Sequence, residues 1–382
     1  TALVANAQSA GMEQLVAVGQ AEAFYDRVLV GYGDDSVAEL GGAHVACEEI
    51  SNVAAKLIED ARIGLSPLEK STRYVNFSQK VNGQYRYVRE ARIMQSRWAV
   101  DYESAMDGLF DTYVQLLEPT IAWVRARTPR DAQTSERAYN SATRAKAFDL
   151  LRGLLPMATR TNVGVFANGR AFEYLITRLG SHDLAEIQQV SDQLQQALDH
   201  LIPSFVKRSK TPRGSAMRQY MAGIRHGLAT QAQHLTTPAA QQATPQVTLT
   251  AYDHDALIRV ASAALYPHTT QALTDVVAHV AGLSHAELVQ IIALAAGERS
   301  VRFHKPGRAY EETHYTFDII ADIGAYRDLQ RHRMLTLDWQ SLTPNHGYVR
   351  PELVEEAGVA DVFDDTMARS AALYDALKDE FP

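Results

Sequence analysis

Only one cysteine, Cys47, occurs in the 382 residues. A lone thiol excludes an internal disulfide and any cysteine-rich zinc site, and its apolar, helix-like context marks Cys47 as a buried structural thiol. Long hydrophobic runs are missing too. Nothing approaches the roughly 18 to 20 unbroken apolar residues of a membrane span, and the N-terminus lacks the basic-then-apolar order of a signal peptide. A soluble cytoplasmic protein with no membrane partner is the expectation. Nor are cations in excess: 37 Lys and Arg stand against 45 Asp and Glu, a formal net charge of -8. General nucleic-acid binders show the opposite balance, so no nucleic-acid partner is expected and an anionic ligand must be met by a local group of cations. His44, Cys47 and Glu48 have ligand chemistry, but without a second ligand cluster they do not close a site, and no metal is expected.

What is present is helix. With 46% hydrophobic residues the chain can bury one large core or two ordinary ones. Apolar residues at mixed three- and four-residue spacings predict helices over Met12 to Val30, Val45 to Ile63, Trp98 to Ala126, Glu136 to Leu155, Asn168 to Leu179 and His182 to Phe205. Two-residue alternation predicts short strands at Gln84 to Val88 and Gln246 to Ala251. The fold class expected is α+β, helix-rich, with a modest sheet. A polar stretch, His234 to Gln246, reads as a linker. It divides the chain into a first domain over 1–233, a linker region over 234–250 and a second domain over 251–382. The basic run Lys207 to Arg213 reads as a solvated loop, with phosphate contact as the alternative.

Two segments align without gaps: "ARIGLSPLEKS" from Ala61 and "RHRMLTLDWQS" from Arg331. Each follows an apolar, helix-like stretch, as an internal repeat would. The second opens with Arg331-His332-Arg333. The first carries Ser66, Glu69, Ser71, Arg73 and Tyr74. Together they resemble the R-H-R-x-x-S-x-N-x-x-S-x-R signature of the flavin-dependent thymidylate synthases, divided between two places. "RGLLP" at Arg152, "NGRAFEYLITR" from Asn168 to Arg178 and "SHDLAEIQ" at Ser181 are similar to that family's later motifs, and "GYGDDSVAEL" at Gly31 to an earlier one. "RAYEETHYTF" at Arg308 resembles the lead into R-H-R. No second R-x-x-L-P or N-x-R element follows, so the second copy reads as incomplete. Asp34, Asp338 and Thr343 depart from the family pattern.

The resemblance implies a tandem of two related halves packed as a pseudo-dimer. It also implies transfer of a methylene group from methylenetetrahydrofolate to dUMP, with reduction by flavin hydride to give dTMP. Glu69, Ser71, Arg73, Arg152 and Arg178 would hold the nucleotide, with Ser71 and Arg178 closest to the chemistry. Arg331, His332, Arg333, Asn168 and Arg170 would hold the cofactor, FAD with FMN as the alternative, and NADPH would be a cosubstrate. Such enzymes need no catalytic cysteine and form homotetramers, so a homo-oligomer, here a dimer of tandem chains, is implied. The inventory suits the ligand, since a nucleotide phosphate is a dianion that guanidinium forks and short hydroxyls recognise. Plainer readings stay open. Arg170, Tyr174 and Arg178 recur at helical spacing and also suit a solvated face, while Arg152 and the R-H-R triplet suit helix C-termini. The departures leave two alternatives: another flavin or folate enzyme acting at C5 of a pyrimidine nucleotide, or a non-catalytic nucleotide-binding relative.

Overall fold

The structure, a computed structural model, describes residues 23–25, 27, 35–61, 63–235 and 246–381. The expected helix Met12 to Val30 lies almost wholly outside them, as do Gly33, Asp34, Arg62 and most of the expected linker. The chain forms two compact units, Thr1–Gln242 with Asp322–Pro382, and Ala243–Ala321. The span read as a second domain is thus shared, its C-terminal part folding with the first unit.

In chain order the first unit holds β1 (Gly42–Ser51), α1 (Asn52–Glu59), β2 (Leu65–Glu69), α2 (Ala99–Arg127) and α3 (Glu136–Leu151). It continues with β3 (Arg160–Asn168), α4 (Gly169–Gly180), α5 (Ala185–Leu201) and α6 (Pro212–Ala232). The second unit holds β4 (Gln246–Tyr252), α7 (Ala256–Leu265), α8 (Leu273–Ala281), α9 (His285–Ala296) and β5 (Tyr315–Ile320). α10 (Ile323–Gln330) and α11 (Ala360–Leu377) return to the first unit. The fold is α+β and helix-rich, with small antiparallel sheets. Among the described residues no helix is long and apolar enough to cross a membrane.

β3 is the centre of a three-stranded antiparallel sheet, with β1 and β2 on its flanks. Thr161, Val163, Val165 and Ala167 alternate inward along it. Val163, Val165 and Ala167 meet Ala54 and Ile58 of α1, Phe172 and Ile176 of α4, and Leu194 and Leu198 of α5 in one core. The helix expected over Val45 to Ile63 is therefore corrected: its first part is strand, and Cys47 lies in a strand rather than a helix. The cause is a bulge between Cys47 and Ile50. Ala43, Cys47, Ile50 and Ala54 are all buried, and their spacing of four, three and four imitates a helical stripe. Burial also pushes the Cys47 thiol up to about 11, which leaves it protonated and unreactive near neutrality.

A second core joins Tyr85, Tyr87, α2, α3 and Phe363 of α11. Gln84 to Val88 alternates as expected but forms no ladder; Tyr87 makes one isolated bridge, to Thr159. The basic run at Lys207 is also corrected. It coils into a 3-10 turn before Pro212 opens α6, and Arg208 and Lys210 pair with Glu173 and Asp199, each at 2.8 Å. In the second unit β4 and β5 form a two-stranded sheet, and Ala261, Val276, Val280 and Leu288 form its small core.

Candidate functional site

α1 and α10 are each eight residues long, and each begins behind a side-chain cap. Ser51 accepts from the amide of Ala54, and Asp322 accepts from those of Gly324 and Ala325. The two helices are tied together where the Gln330 amide donates to the Lys56 carbonyl at 3.0 Å. Tyr326 is half-buried; burial, with Asp60 and Glu59 nearby, raises its phenol.

Glu69, at the end of β2, is the focus of this junction, and its side chain is wholly buried. Arg327 donates to Oε1 at 2.6 Å, while Arg331 and Lys56 donate to Oε2 at 2.5 and 3.2 Å. Lys56, itself buried, also pairs with Glu59. Burial by itself would raise the Glu69 carboxyl, but Arg327, Lys56 and Arg331 outweigh it and hold it below the usual carboxylate range. Immediately beyond, Ser71 Oγ accepts from the Arg73 amide at 3.3 Å, Arg327 reaches Thr72 Oγ1 at 3.3 Å, and Arg73 lies 3.6 Å from Asp328. The first arginine of R-H-R and the E-x-S-x-R segment are therefore neighbours, joined through one carboxylate.

Beside this junction a small cavity is lined by Asn52, Thr72, Arg152, Pro156, Gly324 and Arg327, among others. Arg152 pairs with Asp149 at 3.3 Å and lies across the start of α10. A Cβ on Gly324 would fall 2.1 Å from Arg152 Nη2, so only glycine admits that approach. Arg152, Arg327 and the positive end of α10 make an electropositive corner, offset in part by Asp322. Three buried polar atoms at the junction, Asn52 Oδ1, Tyr326 Oη and Gln330 Oε1, have no hydrogen-bond partner among the described residues. Arg178 joins from the far side, where it donates to the Leu57 carbonyl and to Asp60 Oδ2 at 3.2 Å.

The remaining candidates lie elsewhere. Asn168 caps α4 by accepting from the Ala171 amide at 2.8 Å, and Arg170 pairs with Glu39 at 2.6 Å. Both stand at the Leu65 end of β2, since Leu65 pairs with Ala167 and Glu69 with Val163. The length of β2, about 13 Å at 3.3 Å per residue, separates them from Glu69. His332 and Arg333 are exposed beyond α10. Sequence reasoning missed Asn52, Lys56, Arg327, Asp328 and Gln330. Arg327 and Arg331 have the four-residue spacing of one helix face, which could have disclosed the first of these.

Fold and junction together define an α+β protein with a basic, half-buried corner suited to an anionic ligand rich in hydrogen-bond acceptors. The chain belongs to the thymidylate synthase complementing protein family, whose model matches residues 2–204. It is similar to a UPF0159 protein of Chlamydia pneumoniae, with 42% identity over 367 residues that cover 96% of this chain and 69% of that one. A UPF0159 protein of Chlamydia muridarum is 40% identical over the same length. One of Thermoplasma acidophilum is 28% identical over 384 residues, covering 95% of this chain and 76% of the relative. The Arg331 segment lies outside the family match but inside the span shared with these relatives.

Proposed function

We propose that the chain is a flavin-dependent thymidylate synthase whose signature is divided between two related halves. The reaction consumes dUMP, methylenetetrahydrofolate, NADPH and a proton, and yields dTMP, tetrahydrofolate and NADP+. The observation that carries this reading is the convergence of Arg331 on Glu69, two residues from Ser71 and four from Arg73. The order of elements lends further support, because β1, α1 and the Ala61 segment are matched in sequence by β5, α10 and the Arg331 segment. The match is partial: β2 follows Ala61, whereas no strand follows Arg331.

The residues present fit a nucleotide and a flavin. The unpartnered Asn52, Tyr326 and Gln330 atoms offer two acceptors and a phenol at the junction, and the cavity beside it is lined by Arg152 and Arg327. Bound FAD, with FMN as the alternative, supplies the hydride that completes the methyl group. Arg73 and Arg152 would bind the phosphate, Ser71 would orient the ring, and Arg178 would hold the end of α1 in place through Leu57 and Asp60. Arg331 and Arg333, with Arg170 and Asn168 at the other end of β2, would neutralise and position the elongated cofactor, and paired tandem chains would replace the four single ones of the resemblance.

A second reading, a nucleotide-binding relative without catalysis, is favoured by the partners these cations already have. Arg73 faces Asp328, Arg152 faces Asp149 and Arg331 is bonded to Glu69. The flavin absorbance of purified protein, together with tritium release from ring-labelled dUMP, decides between them. A yellow protein that releases tritium, and an Arg331→Ala variant that loses flavin about ten- to a hundredfold more readily, are the expected results. Colourless protein that takes up no added flavin supports the second reading.

A further inference from the structure

A cleft of about 810 Å³ lies between one face of α3 and the segment Tyr74 to Asn76, and it shares no lining residue with the cavity beside Glu69. Arg137, Asn140, Ser141, Arg144 and Phe148 recur at three- and four-residue intervals along α3 and form one wall. Their chemistry is one-sided. Asn140 Oδ1 accepts from Arg125 at 2.9 Å, and Asn76 Oδ1 accepts from the Ser78 amide at 2.8 Å. With Oδ1 engaged, each of these two lining amides keeps its NH2 group as a hydrogen-bond donor. Neither Arg137 nor Arg144 has an ion-pair partner among the described residues; Arg144 lies over the Phe148 ring, 5.9 Å from its centroid. The single carboxylate of the lining is Glu136, at the first turn of α3. Tyr74, 73% exposed, presents an aromatic face opposite. Two guanidinium groups, two amide donors and the exposed ring of Tyr74 match a planar ring with carbonyl oxygens that carries an anion.

We propose that this cleft binds a nucleoside monophosphate at a second site, separate from the Glu69 junction, with Arg137 and Arg144 on the phosphate and the base against Tyr74. The inference is independent of the reaction proposed above. Calorimetric titration of the full chain with UMP, dTMP and AMP tests it, in the wild type, in Arg73→Ala and in the double variant Arg137→Gln/Arg144→Gln. At least one of the three nucleotides is expected to bind Arg73→Ala with wild-type affinity in one event, and that event is expected to weaken tenfold or more in the double variant. Asn140→Asp keeps the Arg125 contact but replaces a donor by a negative charge, and a similar loss is expected there, which guards against misfolding of the double variant. No nucleotide event surviving Arg73→Ala, or one indifferent to the double variant and to Asn140→Asp, overturns the proposal. Binding of p-aminobenzoyl-glutamate in place of any nucleotide overturns it as well. An intact second event together with wild-type affinity at the first site in Arg73→Ala would leave this inference standing and remove the proposed substrate site.

Discussion

Glu69 is the residue on which most depends. It has no exposed side-chain surface and answers three cations, of which Lys56 is only 2% exposed. Glu69→Gln leaves the largely buried Arg327 without a carboxylate, while Lys56 keeps Glu59 and Arg331 is half exposed, so a loss of about 3 kcal/mol is expected from urea unfolding. Because the folded carboxyl is held low, its contribution is present above the unfolded value, about 4.3, and disappears as pH falls through the folded one. Wild-type stability is therefore expected to decline on acidification below that point, and the variant to decline less steeply. The two arginines proposed to bind the phosphate are expected to behave differently. Arg73 is partly exposed and Arg152 half-buried, each with one carboxylate neighbour, so truncation to alanine costs little stability. Each is expected to weaken dUMP binding about ten- to a hundredfold without releasing flavin, by the usual strength of a charge-assisted hydrogen bond. Calorimetry showing wild-type nucleotide affinity in both variants would remove these residues from the site.

At the scale of elements, α10 is the piece that builds the junction, and Gly324 is its most specific feature. A methyl on Gly324 meets Arg152 and, at 2.8 Å, the capping Asp322 Oδ1, so Gly324→Ala is expected to cost about 1 kcal/mol at most, the strength of one cap. The same methyl displaces Arg152, so nucleotide affinity is expected to fall by more than stability does. Equal losses in both would make Gly324 a packing residue alone. How far these elements were legible depends on periodicity. α2 through α5 were readable because each keeps one apolar stripe, as Phe172, Leu175, Ile176 and Leu179 do on α4. β1 was not, because its bulge gave a strand a helical spacing. β3 carries a clean alternation at Thr161, Val163, Val165 and Ala167, but it runs without a break into the stronger apolar stripe of α4, which masks it. The motif residues were found by resemblance, and the structure brings Glu69, Ser71, Arg73 and Arg331 together and Arg152 beside the same α10. Lys56, Arg327 and Gln330 belong to no motif, and their role arises only from the pairing of α1 with α10, a contact between residues 270 or more apart that local sequence does not encode.

At the scale of the molecule the account rests on asymmetry. Ala61 and Ile63 stand where the R-H-R arginines would, and Thr343 stands where the final arginine would, a single hydroxyl against a five-donor fork. The reciprocal combination of segments therefore lacks both the cofactor cations and the phosphate fork. On the proposed function, one competent reaction site per chain is expected, built from the Glu69–Arg73 segment and the Arg331 segment. The most direct measurement is the amount of flavin bound per chain at saturation, read from its visible absorbance against protein concentration, with and without dUMP. One flavin per chain is the expected result; two per chain, or none even with dUMP present, would contradict the divided-signature account.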